Sequence, residues 1–129
     1  MPLNHIFLMV SPTRFQSLSK FYTTILTPLS YTTYLTTPTL VGLGTDYPYM
    51  WLKALPADVK PTPTHIAFEA KDNAAVDEFY RVALEAGATG NGSPGIRAQY
   101  GFQPYYAAFV LDEEGNNVEA VCVDKKGRM

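Results

Sequence analysis

Three residues in this chain have the types and setting that chemistry needs: His5, His65 and Glu119. His5 and His65 are the only two histidines, and they stand sixty positions apart. An imidazole can ligate a metal or carry a proton, and a carboxylate can do both. Two imidazoles and one carboxylate on one face, with coordination positions left over, suit a divalent cation such as Fe, Zn, Ni or Mn. Such a cation would act as a Lewis acid, or as a template for a substrate's oxygens. Glu119 lies among Val118, Ala120 and Val121, where a carboxylate is costly to bury unless paired or bound to a cation. The residues alone leave a second possibility open. Histidines at strand ends serve structure as well as ligation, and strand alternation could turn Glu119 outwards.

What must position these residues is a repeat. His5-Ile6-Phe7-Leu8-Met9-Val10 leads to the pair Phe21-Tyr22, and His65-Ile66-Ala67-Phe68-Glu69-Ala70 leads to Phe79-Tyr80. The chain is therefore roughly one module written twice, over residues 1–55 and 64–123 of a single domain spanning 1–129. Two modules packed about a pseudo-twofold axis would bring their matching first strands, and both imidazoles, towards one place.

Each module reads as strand, helix, strands. His5 to Val10 is a strand, and Ser11-Pro12 fits an N-cap with proline in the first helical turn. Phe15, Leu18, Phe21 or Tyr22, and Ile25 then mark one helical face, which Pro28 ends. Tyr31 to Leu35, Thr39 to Gly44 and Tyr49 to Lys53 read as three strands. Pro56 to Thr64 is the hinge. In the second module Thr64 to Ala70 is a strand, and Asp72 caps a helix running to about Ala86. Val76, Phe79, Tyr80 and Ala83 form its buried stripe, and Gly87 fits a left-handed C-terminal cap. Gly90 to Gly95 reads as a loop without regular pattern. Tyr105 to Leu111 and Asn117 to Val123 are strands joined by a turn at Asp112 to Asn116. The second module thus lacks one obvious strand, expected near Ala88 to Gly90 or Arg97 to Tyr100.

Composition bounds the function. With 47% apolar residues in 129, the chain can bury a core, so it is globular. A net charge of −2, with charges well mixed, argues against a nucleic-acid binder. No apolar run approaches membrane-spanning length. Met1-Pro2-Leu3-Asn4-His5 lacks signal-peptide features, and the single Cys122 suits a reducing compartment, so a cytoplasmic location is expected. Cys122 reads as a buried small residue, not a nucleophile. Neither Gly42-Leu43-Gly44 nor Gly90-Asn91-Gly92 has the basic residue or following helix of a phosphate cradle.

The pattern resembles the vicinal-oxygen-chelate superfamily, which groups glyoxalase I, bleomycin-resistance proteins and extradiol dioxygenases. The resemblance rests on His5-Ile6 leading to Phe21-Tyr22, on His65-Ile66-Ala67-Phe68 leading to Val76-Asp77-Glu78-Phe79-Tyr80, and on the closing stretch. That stretch runs Tyr105-Tyr106-Ala107-Ala108-Phe109-Val110-Leu111-Asp112, then Gly115-Asn116-Asn117-Val118-Glu119-Ala120-Val121. Pro94-Gly95-Ile96-Arg97 with Tyr100 is similar to a loop of its small members. The likeness implies an α+β fold of two βαβββ modules forming a curled mixed sheet around one metal site, and a homodimer. It places His5, His65 and Glu119 on three of four ligand positions. The fourth falls near Trp51, on a strand with no Asp, Glu, His or Gln.

The function so implied is a small metal-dependent enzyme of the glyoxalase or dioxygenase type, acting on a substrate with vicinal oxygens. Glu119 would be the only carboxylate candidate for a catalytic base. The alternative is a metal-free small-molecule binder like the bleomycin-resistance proteins, which the aromatic surplus favours. Trp51, Tyr100, Tyr105 and Tyr106 would hold a flat organic ligand, and Arg97 would grip its carboxylate.

Overall fold

The computed structural model describes residues 3–98 and 102–123. Strand β1 (Ile6–Val10) is followed by helix α1 (Phe15–Ile25) and strands β2 (Thr32–Thr36), β3 (Leu40–Gly44) and β4 (Met50–Ala54). The order repeats as β5 (His65–Glu69), α2 (Asn73–Glu85), β6 (Thr89–Arg97), β7 (Tyr105–Leu111) and β8 (Asn117–Cys122). The two sheets have the same order, β1-β4-β3-β2 and β5-β8-β7-β6. In each the first and last strands of the module run parallel, and the other pairs are antiparallel. The expected curled mixed sheet is thus two four-stranded mixed sheets, one per βαβββ module.

Local sequence explains the elements. Leu8 and Val10 of β1, like Ile66 and Phe68 of β5, turn one face of each strand into the core, while Phe7, Met9, His65 and Ala67 face out. Helix α1 buries Phe15, Leu18, Tyr22 and Ile25 at the anticipated spacing. Ser11 and Pro12 open a single 3-10 turn before it, although the Ser11 side chain makes no capping bond. The Asp72 carboxylate accepts from the Ala75 amide at 2.8 Å, an N-cap that satisfies an otherwise unpaired donor. Gly87 closes α2 with φ +102°, a backbone that glycine adopts without steric cost.

One expectation fails. Gly90 to Gly95 is not a loop; it lies inside β6, the missing strand. β6 is a sheet edge, where proline and glycine are tolerated. Irregularities between Gly90 and Gly92 and between Gly92 and Gly95 break its register with β7. Those bulges also hid its alternation.

Both modules share one core, in which Tyr31 meets Phe68 edge to face at 5.5 Å between ring centroids. A polar clamp joins them as well. The Tyr22 hydroxyl donates to Asp112 Oδ2 at 2.6 Å, across the boundary from α1 to the β7–β8 turn. Asp112 also accepts from the Asn116 side chain and from the backbone amides of Glu114 and Asn116. Asn116 Oδ1 in turn accepts from the Thr64 amide at the start of β5. Burial, then the Asp112 charge, pushes the Tyr22 phenol well above its ordinary pKa.

Candidate functional site

Register places the site residues. In the second sheet Ala67, Glu119, Phe109 and Gly92 lie side by side across β5, β8, β7 and β6. In the first sheet Phe7, Trp51, Gly42 and Leu35 form the matching row. Trp51 therefore occupies, in its module, the place that Glu119 occupies in the other. The indole spreads over Gly42, where a Cβ would come within 2.6 Å of the ring. It stacks on Phe7 with centroids 5.9 Å apart and donates Nε1–H to the Pro48 carbonyl at 3.1 Å. An apolar ring thus fills the position where a carboxylate ligand was sought.

Glu119 is only 6% exposed, and its Oε1 lies 2.8 Å from His65 Nε2. An ionised carboxylate only accepts, so His65 Nε2 carries the hydrogen. His65 remains about half exposed at the edge of the pocket. His5 is engaged differently. It lies just before β1, with Nδ1 2.6 Å from Asn4 Oδ1 and its ring edge-on to Phe7. Among the described residues, no three His, Cys, Asp or Glu side chains form a group able to hold a metal. Of the anticipated set of His5, His65 and Glu119, the last two are in direct contact, and His5 shares a groove with His65. The set departs from a four-ligand metal site at the fourth position, which is an indole, while the bond of His5 Nδ1 to Asn4 leaves Nε2 as the nitrogen of that ring that could ligate.

A pocket of about 410 Å³ opens over this sheet. His65, Glu119, Arg97, Tyr105 and Phe109 line it, with the amides of Asn91 and Asn117 and with Gly92. Phe109 is the floor. The Arg97 guanidinium lies over its ring, 5.4 Å from the centroid, a cation–π placement. Arg97 Nη2 also donates to the Ser93 carbonyl at 2.7 Å. The glycines of β6 make this possible. A Cβ on Gly92 would come within 2.9 Å of Phe109 and 3.2 Å of Arg97, and one on Gly95 within 3.1 Å of Arg97. Asn91 donates to Asn117 Oδ1 at 3.2 Å. A second groove, of about 480 Å³, runs between β1 and β5 and takes in both His5 and His65.

Of the expected ligand-holding aromatics, Tyr105 lines the Arg97 pocket and Trp51 lies on the equivalent face of the first sheet. Tyr106 is not among the residues lining that recess. Its hydroxyl donates to Asp77 Oδ1 at 2.6 Å on α2, and that bond raises its pKa. Successive strand residues face opposite sides, so Tyr105 and Tyr106 cannot both face the pocket. Tyr100 lies outside the described residues. Phe109, Asn91 and Asn117 were not singled out from sequence. Phe109 could have been, since alternation from Tyr105 puts it on the same face.

No protein-family model matches this sequence, and no curated protein does. Solved structures do match by fold. A glyoxalase/bleomycin resistance protein from Albidiferax ferrireducens superposes with a TM-score of 0.81 at 18% identity, covering 93% of this chain and 98% of that one. A glyoxalase/bleomycin resistance protein/dioxygenase family enzyme from Burkholderia phytofirmans gives 0.71 at 21%, covering 96% and 100%. A glyoxalase-related enzyme from Fulvimarina pelagi gives 0.71 at 12%, covering 95% and 88%. The chain has the fold of these glyoxalase/bleomycin resistance/dioxygenase proteins.

Proposed function

We propose that this protein binds a small organic carboxylate without a resident metal, in the pocket over Phe109. The observation that carries this reading is the Arg97 guanidinium placed over the Phe109 ring beside the His65–Glu119 pair, in one 410 Å³ recess. Pockets of that size suit small ligands. Arg97 supplies a fixed cation for a carboxylate, Phe109 and Tyr105 supply flat apolar contact, and the amides of Asn91 and Asn117 offer further hydrogen bonds. The metal-dependent glyoxalase or dioxygenase reading has less support, because an indole, Trp51, stands at the fourth ligand position. The test is calorimetric titration with benzoate and with its neutral isostere benzamide, in the presence and absence of EDTA. Arg97-dependent binding of benzoate alone, unchanged by EDTA, supports the proposal. Binding that requires added Fe(II), Zn, Ni or Mn would replace it with the metal-dependent reading.

A further inference from the structure

The recess over Phe109 has a second polar feature besides Arg97, a pair of amides, and register sets their separation. Asn117 pairs with Leu111, two residues along β7 from Phe109, and two residues of strand span about 7 Å. Asn91 directly precedes Gly92, the β6 partner of Phe109. Asn91 Nδ2 donates to Asn117 Oδ1 at 3.2 Å. A primary amide carries both an acceptor oxygen and an NH2 donor. Their mutual bond therefore leaves Asn91 Oδ1 to accept and Asn117 Nδ2 to donate. The Arg97 guanidinium, by contrast, lies over Phe109 itself, held there by its bond to the Ser93 carbonyl. The amide pair, the guanidinium and the Phe109 ring all line one recess. A fixed cation, an aromatic wall and a donor–acceptor pair roughly one ring's length away specify the length and polarity of a ligand.

We infer that the pocket selects single-ring aromatic carboxylates that bear a hydroxyl opposite the carboxylate, an inference that rests on the carboxylate-binding reading. Arg97 holds the carboxylate, and the ring lies against Phe109. The hydroxyl donates to Asn91 Oδ1 and accepts from Asn117 Nδ2. A hydroxyl is both donor and acceptor, which matches what the amide pair leaves open. Substituents at opposite positions of one ring bridge the separation between guanidinium and amides; substituents on adjacent carbons fall short of it. A site that hydrogen-bonds a ligand hydroxyl rejects the analogue lacking it, because its own polar groups then lose their partners. Asn91 and Asn117 are thus the residues that determine specificity.

The experiment is calorimetric titration of the full chain, with EDTA present, using 4-hydroxybenzoate, 2-hydroxybenzoate, benzoate and 4-methylbenzoate. The last has a methyl group in place of the hydroxyl and so matches it in size. 4-Hydroxybenzoate should bind about tenfold tighter than 4-methylbenzoate, the yield of one to two net hydrogen bonds, and tighter than the 2-hydroxy isomer. Asn117→Ala and Asn91→Ala should each bring the ratio of 4-hydroxybenzoate to 4-methylbenzoate affinity down towards one. The ratio is the readout because a general loosening of the pocket lowers both affinities together. If Asn117→Ala does not fold, Asn91→Ala still decides, because Asn91 is exposed on the edge strand. Equal affinities, tighter binding of the 2-hydroxy isomer, or a ratio unaltered in Asn91→Ala overturns the inference. Benzoate separates the two claims: benzoate binding with no preference for the hydroxyl overturns this inference alone, and failure of every carboxylate to bind overturns both.

Discussion

Trp51 and Glu119 occupy the same place in the two modules: Trp51 lies opposite Phe7 as Glu119 lies opposite Ala67, each on the last strand of its βαβββ unit. The repeat has kept the backbone and divided the chemistry. One copy presents an indole stacked on Phe7, and the other a buried carboxylate bonded to histidine.

The first prediction follows from that division. Purified, untagged protein should carry far less than one equivalent of Fe, Zn, Ni or Mn by elemental mass spectrometry, and EDTA should leave its melting temperature unchanged. Anything that binds only the folded state stabilises it, so a chelator that lowered the melting temperature would reveal a structural or catalytic cation.

Arg97→Gln should weaken benzoate binding by tenfold to more than a hundredfold, since a hydrogen bond to a charged group contributes roughly 1.5–3 kcal/mol. Arg97→Lys should recover only part of this, because an ammonium lacks the planar fork. Gly92→Ala should weaken binding too, because its Cβ would press on Phe109 and Arg97. Tyr106→Phe should leave affinity unchanged, its hydroxyl being engaged with Asp77 on α2. A loss at Tyr106 equal to that at Arg97 would show that the ligand sits elsewhere.

Much of this arrangement was legible in the sequence, for reasons that differ by residue. Leu8, Val10, Ile66 and Phe68 announce their strands because each sheet has one covered face, so alternation survives. Asp72 announces its helix because a side-chain cap is a local event. Glu119 stood out because its neighbours are apolar, and burial with a partner followed. Which histidine would be that partner was not legible, since it depends on the parallel register of β5 and β8 across fifty residues of chain. The bond from His5 to Asn4 is a contact between sequence neighbours, which a repeat pattern does not reveal. β6 was hidden because its glycines serve Arg97 and Phe109 rather than strand propensity.

The Tyr22–Asp112 bond predicts how stability varies with pH. Folding raises the Tyr22 pKa above its ordinary value of 10.0, so the native state binds this proton more tightly than the unfolded chain does. Its contribution is complete below that ordinary value and is lost as pH climbs through the raised one. Urea denaturation should therefore show stability falling from about pH 10 upwards. Tyr22→Phe should remove that part of the slope and cost about 1–3 kcal/mol at neutral pH, because Asp112 loses a buried donor. An identical alkaline slope in the variant would assign it to another group.

Self-association is the last expectation, and the edge strand β2 gives it a location. All five residues of Thr32–Thr36 are exposed, and β2 is the outer strand of its sheet. No charged residue or histidine stands anywhere between Lys20 and Asp46. Proteins that keep such edges monomeric place charges or prolines on them; here the strand itself has neither, and Pro38 comes just after it. A homodimer joined along β2 is therefore expected in sedimentation velocity runs. Leu35, 41% exposed, is the position at which to test it. Leu35→Lys adds a charge that two copies would bring together at their shared edge, and like charges facing each other across paired strands are destabilising. The variant should sediment as a monomer with an unchanged circular dichroism spectrum. A variant that stays dimeric would move the interface away from β2, and a wild-type monomer would show that threonine hydroxyls and the bulge between Thr33 and Leu35 suffice to keep the edge unpaired.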